Sequence, residues 1–496
     1  MNANPSNNVA SGALLAEVIP PRLLPRVLKR FDMVAIYFAL IFGSYGAAQM
    51  AGQGWAGIPM MALAAVTFLL PCTLASYELG TLFPGEGGIY IWAHKTLGPI
   101  HGFIAGWLGW VPIFLLLPLG ATTIIAHVQF VFGTEWPLWA QVAGQIAIVL
   151  LIGGISAARL LVSQRYVRWM FWISMGTAVS VFIAGFISEG TGTPVDSSIL
   201  SFDISEHGAL YSAAILWLLG VEVPFNMGAE FKDHRRTAGT MYLWGSIALL
   251  AGYFMGIAGI LWLIGGQEID ATTGVARAAS AAYPALGLLV GIGICFAVVS
   301  QDVAYMNSYS RLLFISGIEK RLPEVFSQVT ETTRVPVPAL LIQILGAIMV
   351  LLVFSTQAQL AVAFNLYLAA LVAVWCASLF YLYIGIVRAR GKYSATYRER
   401  GADVWKIPGG TVGVWIVAIW GTIFNAIAIW YVFALPWTSD IDPSGWRLWL
   451  FGVSGVVVLF GIVIYLNSKR RADAFNLEEE LRKYARFDLP SGQSGV

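Results

Sequence analysis

The chain reads as an all-α integral membrane protein of about twelve transmembrane helices, on three observations. Of its 496 residues, 58% are hydrophobic and 11% charged, where a soluble domain carries about 25% charged residues. Apolar runs near the ~20 residues that cross a bilayer recur at 32–50, 57–82, 100–131, 137–157, 166–188, 208–229, 238–265, 283–314, 337–355, 359–387, 411–436 and 446–467. Basic residues then segregate by loop: 27 of the 29 Lys and Arg fall on the N-terminal side of the bundle, leaving Arg277 and Arg447 opposite. Positive loops stay in the cytoplasm, so a multi-pass protein of the cytoplasmic membrane is expected, with both termini inside. A wrong helix count would scramble this asymmetry, so count and orientation support each other.

The expected layout follows. Residues 1–31 form a cytoplasmic segment, 32–189 a first five-helix repeat and 190–206 an outer loop. Residues 207–387 form a second repeat, 388–410 a cytoplasmic loop, 411–467 helices 11 and 12, and 468–496 a cytoplasmic tail. No apolar stretch with a small-residue cleavage site follows Arg22, Arg26, Lys29 and Arg30, so the first span is expected to direct insertion itself. The outer loops carry Glu135, Glu189, Asp196, Asp203, Glu206, Glu268, Asp270, Asp440 and Asp442. Gly88 to Leu97 is amphipathic and is expected to lie along the inner interface. The run 476–486 reads as a short charged helix, a solvated end or a regulatory plug.

Metal and disulfide chemistry find no support. Cys72, Cys295 and Cys376 each sit inside an apolar run. His94, His101, His127, His207 and His234 form no metal-spaced pair and read as surface or interface residues. No cofactor and no nucleic-acid partner are expected; the partners are the lipid bilayer and a small molecule, with a monomer and a homodimer both open. A membrane-embedded enzyme would need a paired catalytic motif such as His-Glu-x-x-His, and none is present.

Two spans are interrupted. The first contains Gly43-Ser44-Tyr45-Gly46, the sixth Gly220-Val221-Glu222-Val223-Pro224. Glycine weakens a helix interior and proline removes a backbone donor. In lipid, an unpaired amide costs several kcal/mol, so such breaks persist where the freed groups face a cavity or a ligand. The first and sixth positions are where two inverted five-helix repeats would each begin, and paired broken helices point to a midplane binding site. Half-helix amides suit a carboxylate and the opposing carbonyls an ammonium. A zwitterionic amino acid fits both.

At these residues the chain resembles the amino acid–polyamine–organocation permeases. The resemblance runs from Asp32 to about Leu466 and rests on Glu78-Leu79-Gly80, Phe83-Pro84-Gly85-Glu86-Gly87-Gly88-Ile89-Tyr90-Ile91-Trp92, Gly220-Val221-Glu222 with Glu230-Phe231-Lys232, and Ser310-Arg311 through Leu322-Pro323 to Val335-Pro336-Val337-Pro338. Lys406-Ile407-Pro408-Gly409-Gly410 looks most like the bacterial glutamate/GABA antiporter branch. The resemblance implies a LeuT-like fold of two inverted five-helix repeats plus helices 11 and 12, with substrate held among helices 1, 3, 6, 8 and 10. It implies an antiporter or a proton symporter of amino acids, or a polyamine carrier, working by alternating access. The chain departs from the family in three places. Tyr45 stands within the usual Gly-small-Gly turn, Ser174 stands about where proton-coupled relatives carry a helix 5 lysine, and Asp233 replaces the proline after Lys232.

The candidate site residues follow. Gly43, Ser44, Tyr45, Gly46, Trp217, Gly220, Glu222, Gln301, Asp302 and Tyr305 are expected to contact substrate. Glu222 and Asp302 are ionisable groups at depth, which are usually functional; a buried carboxyl can exchange a proton or pair with a cationic group. A proton is the expected coupling ion, with sodium left open. Along helix 8, one of two faces, Gln301/Tyr305 or Asp302/Met306/Tyr309, is expected to look at the site. Trp217 is the candidate outer gate, and Asp32, Glu78, Glu230 and Arg311 a candidate inner gate of ion pairs.

Overall fold

The computed structural model describes residues 14–188, 192, 194–265, 269–355, 360–437, 441–473 and 483. The outer acids Glu189, Glu268 and Asp440, and the run 476–486 apart from Lys483, lie outside the described residues. Among the described residues every regular element is helical, with one isolated bridge between Leu28 and Phe231.

Among the described residues nine helices have the length and apolarity to cross a membrane, or ten if the bent pair Arg30–Ile41 and Ser44–Ala51 forms one span. Two of the twelve expected spans fall below that length. Helix 6 stops at Leu216 and resumes as the 3-10 stretch Val223–Glu230, and Val337–Val353 is a shorter apolar helix. Other helices outrun their apolar windows, as in Leu160–Ile187, Pro284–Ile318 and Pro443–Asp473. Their polar ends keep the helical hydrogen bonding after the hydropathy signal has stopped.

Burial separates the core from the rim. The window within Asn365–Lys392 is 72% buried, whereas those in Leu138–Ala157 and Pro443–Ala472 are 17% buried. The latter helices expose Leu150, Leu151, Leu448, Val456 and Leu459, the surface a lipid-facing helix presents. The broken helices lie inside: nearly every residue of Arg30–Ile41, Gly208–Leu216 and Val223–Glu230 is buried.

The basic loops meet at one end, hereafter the basic end. Arg168 pairs with Asp32 at 3.1 Å, Lys95 with Glu17 at 2.7 Å, and Lys392 Nζ donates to the Lys95 carbonyl at 2.7 Å. Here the structure corrects one expectation. The helix Ile89–Leu97 forms, but Ile89, Tyr90, Ile91, Trp92 and Ala93 are buried. It packs under spans 3 and 10 instead of floating at a lipid interface. The reason is the tight Gly87-Gly88 turn before it, with φ of 98° and 38°, whose amides donate to the carbonyls of Asn226 and Phe225 at 3.0 and 3.1 Å. Residues 14–28 cover the same end, with Leu15, Ala16, Ile19, Leu23 and Leu24 buried.

Candidate substrate site between the broken helices

The break in span 6 centres on Gly220, whose φ of 106° is a left-handed value that side chains beyond glycine resist. The turn carries Glu222 into the interior, where its side chain is 2% exposed. Its Oε1 accepts from Trp375 Nε1 at 2.8 Å, and Oε2 has no hydrogen-bond partner among the described residues. Span 10 therefore holds one carboxylate oxygen and leaves the other free.

The break in span 1 falls at Phe42 and Gly43, between helices bent by 43°. Its freed backbone groups are not bare. Tyr253 Oη donates to the Ile41 carbonyl at 2.8 Å and accepts from the Gly43 amide at 3.1 Å; Tyr305 Oη donates to the Leu40 carbonyl. The Trp217 carbonyl lies 2.9 Å from the same Oη and competes with Ile41 for its one proton, so this hydroxyl stands between both broken helices. In this state the carbonyls of Leu40 and Ile41 are each partnered by a tyrosine hydroxyl. Tyrosines occupy those carbonyls, because an amide or carbonyl left unpaired in the interior costs more than an internal hydroxyl bond.

Tyr45 and Trp217 meet edge to face with centroids 4.9 Å apart. Trp217 Nε1 donates to Gln49 Oε1 at 2.6 Å and Tyr45 Oη to Gln301 Oε1 at 3.0 Å. The close seat of the indole needs Gly46, where an added Cβ would lie 2.8 Å from the ring. Above this layer is a cavity of about 480 Å³, lined in part by Gln49, Thr122, Gln141, Gln145, Asp270 and Asn365, with Tyr45 and Trp217 as its floor. That volume suits a small metabolite. Asp270 is exposed, so the cavity reaches the end opposite the basic loops. Among the described residues no lysine or arginine lines it.

On span 8 the Gln301/Tyr305 face meets the break in span 1. Asp302 turns instead toward span 3, where only a glycine fits: a Cβ at Gly120 would collide with its carboxylate. Asp302 is 2% exposed and its Oδ2 has no partner among the described residues. Ser44 lines a small void with Gly43, Gln301, Ser174 and Thr177, which sets Ser174 of span 5 beside the break.

The four residues expected as one inner gate fall into three separate clusters. Asp32 accepts from the Lys29 amide at 2.9 Å and pairs with Arg168. Glu78 is fully buried and accepts from Tyr397 Oη at 2.5 Å, the Ile407 amide at 2.7 Å and Arg390 Nη2 at 2.8 Å, which anchors the 388–410 loop. Glu230 and Arg311 do pair, at 3.1 Å, and a third member joins them: Glu86 Oε1 lies 3.7 Å from Arg311 Nε. From sequence Glu86 is part of a family-like motif with no role expected of it. Its signal was an acid inside the turn Pro84-Gly85-Glu86-Gly87-Gly88. Trp375, Gln49, Tyr253 and Gly120 were also missed, since nothing local marks an apolar-span tryptophan or glycine as a partner of a distant carboxylate. Of the five histidines, His127 departs from the surface reading; it is fully buried in span 3, with Nδ1 2.8 Å from the Thr123 carbonyl.

The arrangement is a small-molecule cavity reaching one end of a helical bundle, floored by an aromatic pair, with buried ion pairs closing the other end. Comparison with known proteins agrees. Residues 28–463 match the family profile described as amino acid permease. A glutamate/gamma-aminobutyrate antiporter of Lactococcus lactis is 23% identical, covering 86% of this chain and 87% of that one. A probable polyamine transporter of Arabidopsis thaliana is also 23% identical, covering 85% and 84%. Among solved structures, a manganese transporter variant from Eremococcus coleocola superposes with a TM-score of 0.61 at 12% identity, covering 92% of this chain and 94% of that one, and so shares the fold. The chain belongs to the amino acid permease family, as a transporter of amino acids or amines rather than an enzyme.

Proposed function

We propose that this permease carries an amine-bearing metabolite by alternating access, with a zwitterionic or cationic amino acid as the leading substrate and a polyamine as the second. Charge supports the reading. The cavity is lined by the acid Asp270 and by no base, and the two carboxyls deeper in the bundle, Glu222 and Asp302, each keep one oxygen unpartnered among the described residues. An ammonium entering this path meets partners, while a second substrate carboxylate meets none. Because tyrosines hold the span 1 carbonyls, the ammonium falls to Glu222 or Asp302, and the substrate carboxylate to the amide end of Ser44–Ala51. Tyr45 and Trp217 act as the outer gate and the Glu230–Arg311 pair as the inner one. With the basic loops in the cytoplasm, the cavity faces outward. Exchange and proton symport both use this geometry, with Glu222 or Asp302 as the proton carrier.

The test is counterflow in liposomes with labelled glutamate, arginine and putrescine, with and without a proton gradient. Arginine or putrescine is expected to exchange and glutamate to be excluded. Counterflow of glutamate alone would sink the reading. Exchange of putrescine but not of any amino acid would favour the polyamine alternative, since polyamines have no carboxylate for the Ser44 end.

A further inference from the structure

The group formed by Glu86, Glu230 and Arg311 sets two carboxyls against one guanidinium, and all three side chains are at most 1% exposed. Arg311 Nη2 donates to Glu230 Oε1 at 3.1 Å, a direct charged bond. Its Nε stands 3.7 Å from Glu86 Oε1, too far for a hydrogen bond. Glu86 Oε2 accepts from the Ala229 amide at 2.9 Å, and Oε1 has no hydrogen-bond partner among the described residues. A second full negative charge buried beside a single cation would be uncompensated, and such a charge costs several kcal/mol.

We propose that Glu86 is a proton-binding site of the transport cycle, holding a proton while the basic end is closed and exchanging it with the solution on that side when that end opens. The proton sits on a Glu86 carboxyl oxygen, Arg311 neutralises Glu230, and the buried group is then neutral overall. Burial first, and the facing Glu230 carboxylate second, hold the Glu86 proton on well above the usual carboxylate range. Geometry ties the site to opening. Residues 14–28 lie across it: the Leu28 amide donates to the Glu230 carbonyl and the Lys232 amide to the Leu28 carbonyl, both at 3.0 Å. Helix 6 cannot withdraw Glu230 from Arg311 without displacing this strap.

The ionisable groups around the site come from each neighbouring element. Span 8 gives Arg311 and, beyond its end, Glu319; the second half of span 6 gives Glu230; His234 opens the next helix. Glu17 of the strap packs over Gly85 and is paired with Lys95, with His94 beside it on the same helix. None of these supplies a second cation to Glu86 itself. The sign follows from closure raising the proton affinity. The closed state is favoured when pH lies below the open-state value of Glu86, and that advantage is lost as pH rises through the closed-state value.

The experiment needs no substrate, so its failure is independent of the substrate class proposed above. Leu23→Cys, fully covered in the strap, is labelled with a maleimide in Glu86→Gln and in the parent with Glu86 intact, from about pH 5 to about pH 8. Thiol ionisation and Glu319 are common to both proteins and cancel in the ratio of rates. Gln stands permanently for the protonated acid. The parent-to-Gln ratio is expected to rise with pH, by about tenfold for each unit by which closure displaces the Glu86 ionisation. A flat ratio overturns the proposal. Should Glu86→Gln fail to fold, Glu86→Asp is measured instead against the parent. It is expected to move the pH of the transition, and an unmoved transition overturns the proposal equally.

Discussion

Trp375 Nε1 donates to Glu222 Oε1 across 2.8 Å, joining span 10 to the break in span 6. Both side chains are buried, so neither has water as an alternative partner. Trp375→Phe keeps an aromatic ring, removes the donor and leaves some buried volume empty. It is expected to cost about 1–3 kcal/mol, read as a lower Tm in detergent, together with slower transport. A variant that matches the wild type in both would show that the bond carries no weight.

Glu222→Gln keeps an acceptor for Trp375 and removes the ionisable group. Proton-linked uptake in liposomes is expected to be abolished while substrate binding stays measurable. Unchanged uptake with unchanged pH dependence would move the coupling role to Asp302.

Trp217 and Tyr45 form the floor of the cavity, and Gln49 holds the indole in place. Trp217→Ala opens that floor, whereas Trp217→Phe keeps an aromatic face, loses the bond to Gln49 and gives up part of the ring. Net accumulation is expected to fall at least tenfold in the alanine variant, about 1.4 kcal/mol of the relevant barrier, and by less in the phenylalanine variant. Equal losses in the two would mean that Gln49, not the ring, makes the gate.

Gly120 gives room to the Asp302 carboxylate. Gly120→Ala places a methyl in that space and is expected to reduce transport strongly, while gel filtration shows a folded protein. Substrate affinity by thermal shift should weaken in parallel if Asp302 holds the amine. An alanine variant with wild-type uptake would place Asp302 outside the working site.

Glu319 accepts from the Ala16 amide at 2.9 Å, where desolvation pushes its carboxyl up to about 7. Lifting the strap returns it toward an ordinary value of about 4.3, so docking takes up a proton. Strap docking is then fully supported below the ordinary value and loses that support as pH rises through about 7. Protease nicking at Arg22 or Arg26 should therefore accelerate with pH more in the wild type than in Glu319→Gln. Identical pH profiles would show that the strap does not sense this group.

Much of the site was legible because helix-breaking is local. Gly220 and Pro224 disrupt a span whatever surrounds them, and Gly43 to Gly46 do so in span 1, so both breaks sit where glycine and proline place them. Tyr45 and Trp217 were legible because they lie at or one turn from those breaks, and Gln301 and Tyr305 because they flank the intramembrane Asp302 on span 8 and share a face four residues apart. The inner ion pairs were legible only as a set of charges. Arg390 and Glu78 are 312 residues apart, and Arg311 and Glu230 are 81 apart. Nothing in sequence distance says that Asp32, Glu78 and Glu230 each take a different cation.

The amino-acid sequence by itself determined that this is a helical membrane protein with basic loops segregated from acidic ones and two interrupted spans, because hydrophobicity, charge and backbone propensity are properties of short segments. Tertiary structure alone decided three things. Tyr253 and Tyr305 took the carbonyls of the span 1 break, Trp375 took one oxygen of Glu222, and Glu86 joined Arg311 and Glu230 under the N-terminal strap. Each is a polar group that must find a partner once water is gone. Which partner it finds depends on which helices cross at that depth, and no single helix carries that information.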